Sequence, residues 1–250
     1  FTRSSTDEKR QYASIMNKFI FDVDGTLTPS RGTIDPEFKE YFNEFCRSNQ
    51  VFLVTGSDKP KTVEQIGEDT YNLCHTVYQC NGNDVWQSNK HVRTNEWRIP
   101  DNARDWLTDR LTNSDFPKRT GLHFEHRPGM VNFSIVGRNA NQNDRAHYVK
   151  WDKDTNERND IAEVFNSIFT DLEAKVGGET GIDISPKGFD KSQIIRDFWT
   201  DDDTWFFGDA MHDEGNDYPL AQVVKHPRHV TTWKQTWEYL QILQDEGIAG

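Results

Sequence analysis

The amino-acid sequence predicts an α/β fold: a doubly wound core with a mostly parallel sheet, interrupted by an inserted α+β domain. Three observations carry the prediction. Apolar runs at 18–23 and 50–54 suit strands buried on both faces of a parallel sheet. Helical patterns separate successive strands near the start, the rhythm of a doubly wound domain. Near residue 84 the pattern changes to alternating polarity, and the α/β rhythm returns near residue 190.

The elements follow in order. Residues 18–23 form the first strand. Asp35 as N-cap and Pro36 at the first helical position open a helix with Phe38, Tyr41, Phe42 and Phe45 on one face. "QVFLV" (50–54) is the second strand, ending in Thr55-Gly56-Ser57-Asp58, and a polar helix runs on to about residue 69. "TVYQ" (76–79) is the third strand. "DVWQSNKHVR" (84–93) reads as a hairpin, 102–112 as a helix, and 123–137 as two strands about a Pro-Gly turn. A long helix is expected at about 156–175, stopped by Gly177-Gly178, with "GIDIS" (181–185) as a strand. A helix from Asp190, strands "TWFFG" (204–208) and "QVVK" (222–225), and a helix at 232–245 complete the chain. The expected domains are therefore an extension at 1–15, a core at 16–90 and 187–250, and an α+β insert at 91–186. Met16 directly precedes the first strand and reads as a natural start.

Composition excludes several function classes. A formal charge of −12, with no basic cluster, is wrong for a nucleic-acid partner. No apolar run reaches the roughly 20 residues that cross a bilayer, and no signal peptide is evident, so no membrane role is expected. Cys46, Cys74 and Cys80 are an odd number without a paired CxxC pattern, which suits reduced thiols in the cytoplasm.

Three polar clusters fall at carboxyl ends of expected strands, where ligands bind a parallel sheet. They are Asp22-Val-Asp24-Gly-Thr26, Thr55-Gly-Ser57 and "GDAMHDEGND" (208–217), which contains Asp209 and Asp217. Lys191 opens the helix before the last of these strands. A carboxylate can attack phosphorus and form an aspartyl-phosphate. That chemistry needs a hard cation such as Mg²⁺ to offset carboxylate–phosphate repulsion, and a hydroxyl and an ammonium on the phosphoryl oxygens. A second acid must carry the proton. Alone, "DVDGT" could equally be a solvated Asx-turn. Lys191 and the Asp209/Asp217 loop, in order after matching strands, favour chemistry.

These four signals resemble the haloacid dehalogenase superfamily of phosphoryl-transfer enzymes, which have a Rossmann-like core. The resemblance implies Asp22 as nucleophile and metal ligand, and Asp24 as general acid/base that also offers its backbone carbonyl to the metal. It implies Asp209 as a Mg²⁺ ligand supported by Asn216 and Asp217, and Thr55 or Ser57 as the phosphoryl-binding hydroxyl.

The insert carries a more specific resemblance. Arg127, Gly129, Met130, Asn132, Ser134, Gly137, Arg138 and Arg145 match, without gaps, a motif of the eukaryotic-type phosphomannomutases. Gly177-Gly178, Asp183, Pro186, Gly188, Phe189, Asp190 and Lys191 match a second, "FFGDAMHDEGNDYPL" a third, and Arg31 the arginine after the first loop. From spacing alone the insert arginines would be surface charges. The resemblance instead implies that Arg127, Arg138 and Arg145 of an α+β cap grip a substrate phosphate, with Arg31, Asn132 and the sugar-binding Asp183. It further implies interconversion of mannose 6-phosphate and mannose 1-phosphate, a hexose 1,6-bisphosphate activator, and a homodimer through the cap. The chain departs from the family at Gly181 (serine), Ala210 (lysine) and Cys80 (an acid). The loss of a hydroxyl at 181 keeps a sugar-phosphate phosphatase open as the alternative, and a catalytically silent sugar-phosphate-binding protein is the rival from another class.

Overall fold

The computed structural model describes residues 17–30 and 32–250, so residues 1–15, Met16 and Arg31 lie outside the described residues. The chain forms two compact units, one from the segment up to Thr94 with Asp190–Gly250 and the other Asn95–Phe189.

In the first unit, β1 (Asn17–Phe21) leads to α1 (Pro36–Ser48), whose N-cap Asp35 accepts bonds from the Glu37 and Phe38 amides. Then come β2 (Gln50–Val54), α2 (Lys59–Ile66), α3 (Glu68–Leu73) and β3 (Thr76–Gln79). The expected single helix is split because Gly67, with φ +85°, ends one helix and starts the next. The hairpin β4 (Asp84–Gln87) and β5 (Lys90–Thr94) extends the sheet antiparallel.

The second unit holds α4 (Asp101–Asn113), β6 (Phe124–Arg127), β7 (Met130–Phe133), α5 (Gln142–Thr155), α6 (Glu157–Ile168), β8 (Leu172–Gly177) and β9 (Gly181–Pro186). Its strands form an antiparallel sheet in the order β6-β7-β9-β8. Val131, Phe133, Ile182 and Ile184 pack with Leu107, Tyr148 and Phe165 of the helices. The long helix expected at 156–175 is corrected. Asn156, in the left-handed conformation (φ 60°), separates α5 from α6, and residues 172–177 pair with β9 as a strand. Gly177-Gly178 is thus part of a hairpin and not a helix stop.

Returning to the first unit, Lys191–Asp197 is a 3₁₀ helix rather than the expected α-helix, followed by β10 (Asp203–Gly208), α7 (Tyr218–Ala221), β11 (His226–His229) and α8 (Trp233–Asp245). "QVVK" is not a strand. Residues 223 and 224 still bond back to Leu220, Val224 is buried, and pairing with β10 begins at His226. The sheet order is β11-β10-β1-β2-β3-β4-β5, with the first five strands parallel. Phe19 and Phe21 of β1 pack under α1 and α8, whereas Ile20 packs on the opposite face with Leu220 and Ile194. Burial on both faces explains the unbroken apolar runs.

The boundaries also differ from the expected 90/91 and 186/187. β5 stays paired to β4 as far as Thr94, and Lys187 and Phe189 bond back to Asp171 and Pro186 of the second unit. The three cysteines are buried and unbridged. Among the described residues no helix is long and apolar enough to cross a membrane.

Candidate active site

Strand order reverses between β1 and β10, and such a switch point opens a crevice at the strands' carboxyl ends. Asp22 follows β1 directly, and its amide bonds the Phe207 carbonyl at 2.9 Å, continuing the ladder. Asp209 follows β10. The two acids therefore meet because their strands are neighbours.

Lys191 sits at the centre and is fully buried. Its Nζ donates to Asp22 Oδ1 at 2.6 Å and Asp217 Oδ1 at 2.7 Å. The position is set locally: Asp190 caps the 3₁₀ helix through the Ser192 amide, and Gln193 Nε2 donates to the Asn81 carbonyl at the end of β3. Burial opposes the charge on Lys191, but Asp22 and Asp217 outweigh it and hold the ammonium well above its ordinary range. Asp22 is pushed up to about 7, first by burial and then by Asp217, with Lys191 opposing. The site is thus short of positive charge.

Asp22, Asp209 and Asp217 each offer a carboxylate oxygen, and these lie within 4.8 Å of one another. Asp209 is also raised, by burial and by Asp217. Crowded carboxylates with raised affinity for protons fit a hard divalent cation. Asp217 accepts on both oxygens, Oδ1 from Lys191 and Oδ2 from the Ala210 amide at 3.0 Å, and suits a supporting role. Asp22 also accepts on both, but its Oδ2 bond, from Thr26, is long at 3.4 Å, so Asp22 and Asp209 are the more available ligands. Gly25 makes this possible. At φ +81°, a Cβ there would lie 2.2 Å from Asp209 Oδ2, so only glycine lets that carboxylate approach the loop.

The Asp24 carboxylate is not part of that cluster. Its Oδ1 accepts from Gln65 Nε2 at 3.1 Å. Thr55 is buried and its hydroxyl accepts from the Ser57 amide at 3.1 Å, while Ser57 is half-buried. Thr26, named with the first polar cluster but given no role of its own, donates to Asp22 Oδ2 at 3.4 Å. Gln65 carried no signal in the sequence, because a glutamine in a polar helix looks like any solvated residue.

In the second unit, the polar face of the sheet aligns Glu125, Asn132, Asp183 and Lys175 across β6, β7, β9 and β8. Arg127 and Arg138 converge on one oxygen of Glu125, at 3.0 and 2.6 Å. Arg145 stands apart on Glu179. Asn132 Nδ2 donates to Asp183 Oδ1 at 2.6 Å, and a Cβ at Gly181 would lie 2.3 Å from that same nitrogen. The amide fills the space a side chain at 181 would need.

The parallel sheet that carries these groups recurs in solved haloacid dehalogenase-like proteins. A haloacid dehalogenase-like hydrolase from Bacteroides thetaiotaomicron has this fold, with a TM-score of 0.58, 12% identity, and coverage of 91% of this chain and 99% of that one. Sequence narrows the class. The model of the eukaryotic phosphomannomutase family matches residues 38–243. Phosphomannomutase of Triticum aestivum is 30% identical over 221 residues, 85% of this chain and 89% of that one. Phosphomannomutase 1 of Dictyostelium discoideum is 31% identical over 212 residues, 81% and 85% of the two chains. The chain belongs to the eukaryotic phosphomannomutase family. The family-model match begins after the Asp22 loop.

Proposed function

We propose that the chain is a Mg²⁺-dependent phosphotransferase that interconverts mannose 6-phosphate and mannose 1-phosphate, with a hexose 1,6-bisphosphate as intermediate and activator. The observation that carries this reading is the buried Lys191 bridging Asp22 and Asp217 beside Asp209. Asp22 attacks phosphorus while the bond from phosphorus to the sugar oxygen breaks. Asp24 gives its proton to the departing oxygen, and takes one from the sugar hydroxyl that later attacks phospho-Asp22. Lys191 and the hydroxyl of Thr55 or Ser57 hold the phosphoryl oxygens. Asp22, Asp209 and the Asp24 carbonyl would hold Mg²⁺, with Asp217 in support; the bound ion supplies charge neutralisation.

The second unit acts as the cap in this reading. Arg127, Arg138 and Arg145 bind the phosphate that is not reacting, since guanidinium forks suit phosphate. Asn132 and Asp183 bind sugar hydroxyls, and Arg31 assists. Cytoplasmic location and a homodimer through the cap complete the proposal. The test is a coupled mutase assay with and without bisphosphate, beside phosphate release from a panel of sugar phosphates. Bisphosphate-stimulated mutase turnover supports the reading. Phosphate release without isomerisation would replace it with the phosphatase reading, which Gly181 favours because no hydroxyl stands at that position.

A further inference from the structure

Gln65 lies in the last turn of α2 and is almost completely buried. Its Nε2 faces three acceptors: Asp24 Oδ1 at 3.1 Å, the Gly32 carbonyl at 3.3 Å and Thr28 Oγ1 at 3.5 Å. Its own backbone carbonyl accepts from the Ile34 amide at 2.8 Å. These acceptors settle the amide orientation, because the opposite flip would set Oε1 against the Asp24 carboxylate. That orientation leaves Oε1 buried without a partner. An unsatisfied buried carbonyl lowers stability, a cost carried here beside the three bonds that Nε2 makes. The fold carries this defect at a side chain of α2 that reaches Asp24.

We propose that Gln65 is a positioning residue for proton transfer by Asp24. The inference rests on the acid/base reading of Asp24 given above and adds the group that aims it. By donating to Oδ1, the amide fixes the plane of the carboxylate that carries out the transfer. A neutral amide does this with a weaker bond than an arginine or lysine would make. The same side chain ties the Asp24–Thr28 turn to the Gly32 turn, so a purely structural role is the competing explanation.

Leaving-group dependence separates the two. When Asp22 is phosphorylated by a hexose 1,6-bisphosphate, the departing sugar oxygen needs a proton. Nitrophenolate leaves p-nitrophenyl phosphate without one. Single-turnover phosphorylation of Asp22 by each donor is measured for wild type, Gln65→Met and Gln65→Asn, with Asp24→Asn alongside. Gln65→Asn keeps an amide but is one methylene short of Asp24, and serves if the Met variant does not fold.

The expected result is a rate about 10- to 100-fold lower with the bisphosphate, within the range for general acid catalysis. The nitrophenol burst should change by less than about threefold, and the concentration of bisphosphate giving half the maximal rate should hardly move. Asp24→Asn should show the same split with a larger loss. Equal losses with both donors, or no loss with either, would overturn the role of Gln65 while leaving that of Asp24 intact. An Asp24→Asn protein with no split would overturn the acid/base reading itself, and the positioning role with it.

Discussion

Adding one methyl group at Gly25 tests the geometry of the strand-end acids most directly. In Gly25→Ala the new Cβ would start 2.2 Å from Asp209 Oδ2, whereas ordinary contact begins at 3.4 Å, so the carboxylate must retreat by about 1 Å. A misplacement of that size typically lowers catalysis about 10²-fold. Alanine also resists the φ of +81°, at about 1–2 kcal/mol. For a chain of this size that is a fall in Tm of roughly 2–8 °C. Gly25→Asn separates the two effects, since asparagine tolerates positive φ but brings the same Cβ. Both variants should lose about two decades in kcat and need more Mg²⁺ for half-maximal activity. Only the alanine variant should show the larger loss of Tm. Steady-state kinetics over a Mg²⁺ titration, with thermal melts, measures all three quantities. A folded Gly25→Ala protein with wild-type kcat and Mg²⁺ requirement would refute the placement of Asp209.

Asp22→Asn should abolish transfer and leave a folded protein, because covalent catalysis has no substitute for its nucleophile; mass spectrometry after incubation with a bisphosphate should find no phosphorylated chain. The raised Asp22 predicts a pH-dependent response to metal. Its folded value of about 7 lies above the ordinary 3.8, so its contribution to stability is complete below about 4 and is lost as pH rises through 7. Added Mg²⁺ should therefore raise Tm more at pH 8 than at pH 5.5, since the proton must leave before the cation binds; an equal rise at both would contradict the site. Arg138→Ala removes a charge-assisted grip of about 1.5–3 kcal/mol, one to two decades in kcat/KM for the mutase reaction. Hydrolysis of a small ester without a second phosphate should be spared, and an equal loss there would remove Arg138 from the phosphate anchor.

The candidate site was readable in sequence where its residues stand beside strands. Asp22, Asp24 and Asp209 could be placed because apolar runs mark strand ends, and parallel sheets bind ligands there. Lys191 was found by order along the chain, yet its full burial between two carboxylates was not. Charge in a sequence carries no information on burial. Gln65 was invisible for the same reason. In the second unit the pairing of Arg127 and Arg138 depends on β6 and β7 being adjacent, which the Pro-Gly turn predicted, and on Glu125, which it did not.

What the sequence determined by itself was local: strands whose apolar runs need two buried faces, the Asp35 cap of α1, and the Gly-containing loops that follow β1, β2 and β10. Tertiary structure decided the rest. Asn156 adopts a left-handed backbone and residues 172–177 leave the helical path to pair with β9, a cross-strand gain no helical period can report. Likewise "QVVK" has the residue types of a strand, but the Val224 amide bonds back to the Leu220 carbonyl of α7, and pairing starts only at His226. The charge state of the site belongs to this second category. Asp22 is drawn up towards neutrality only because folding removes water from it and brings Asp217 close, and both causes act between residues far apart in the chain.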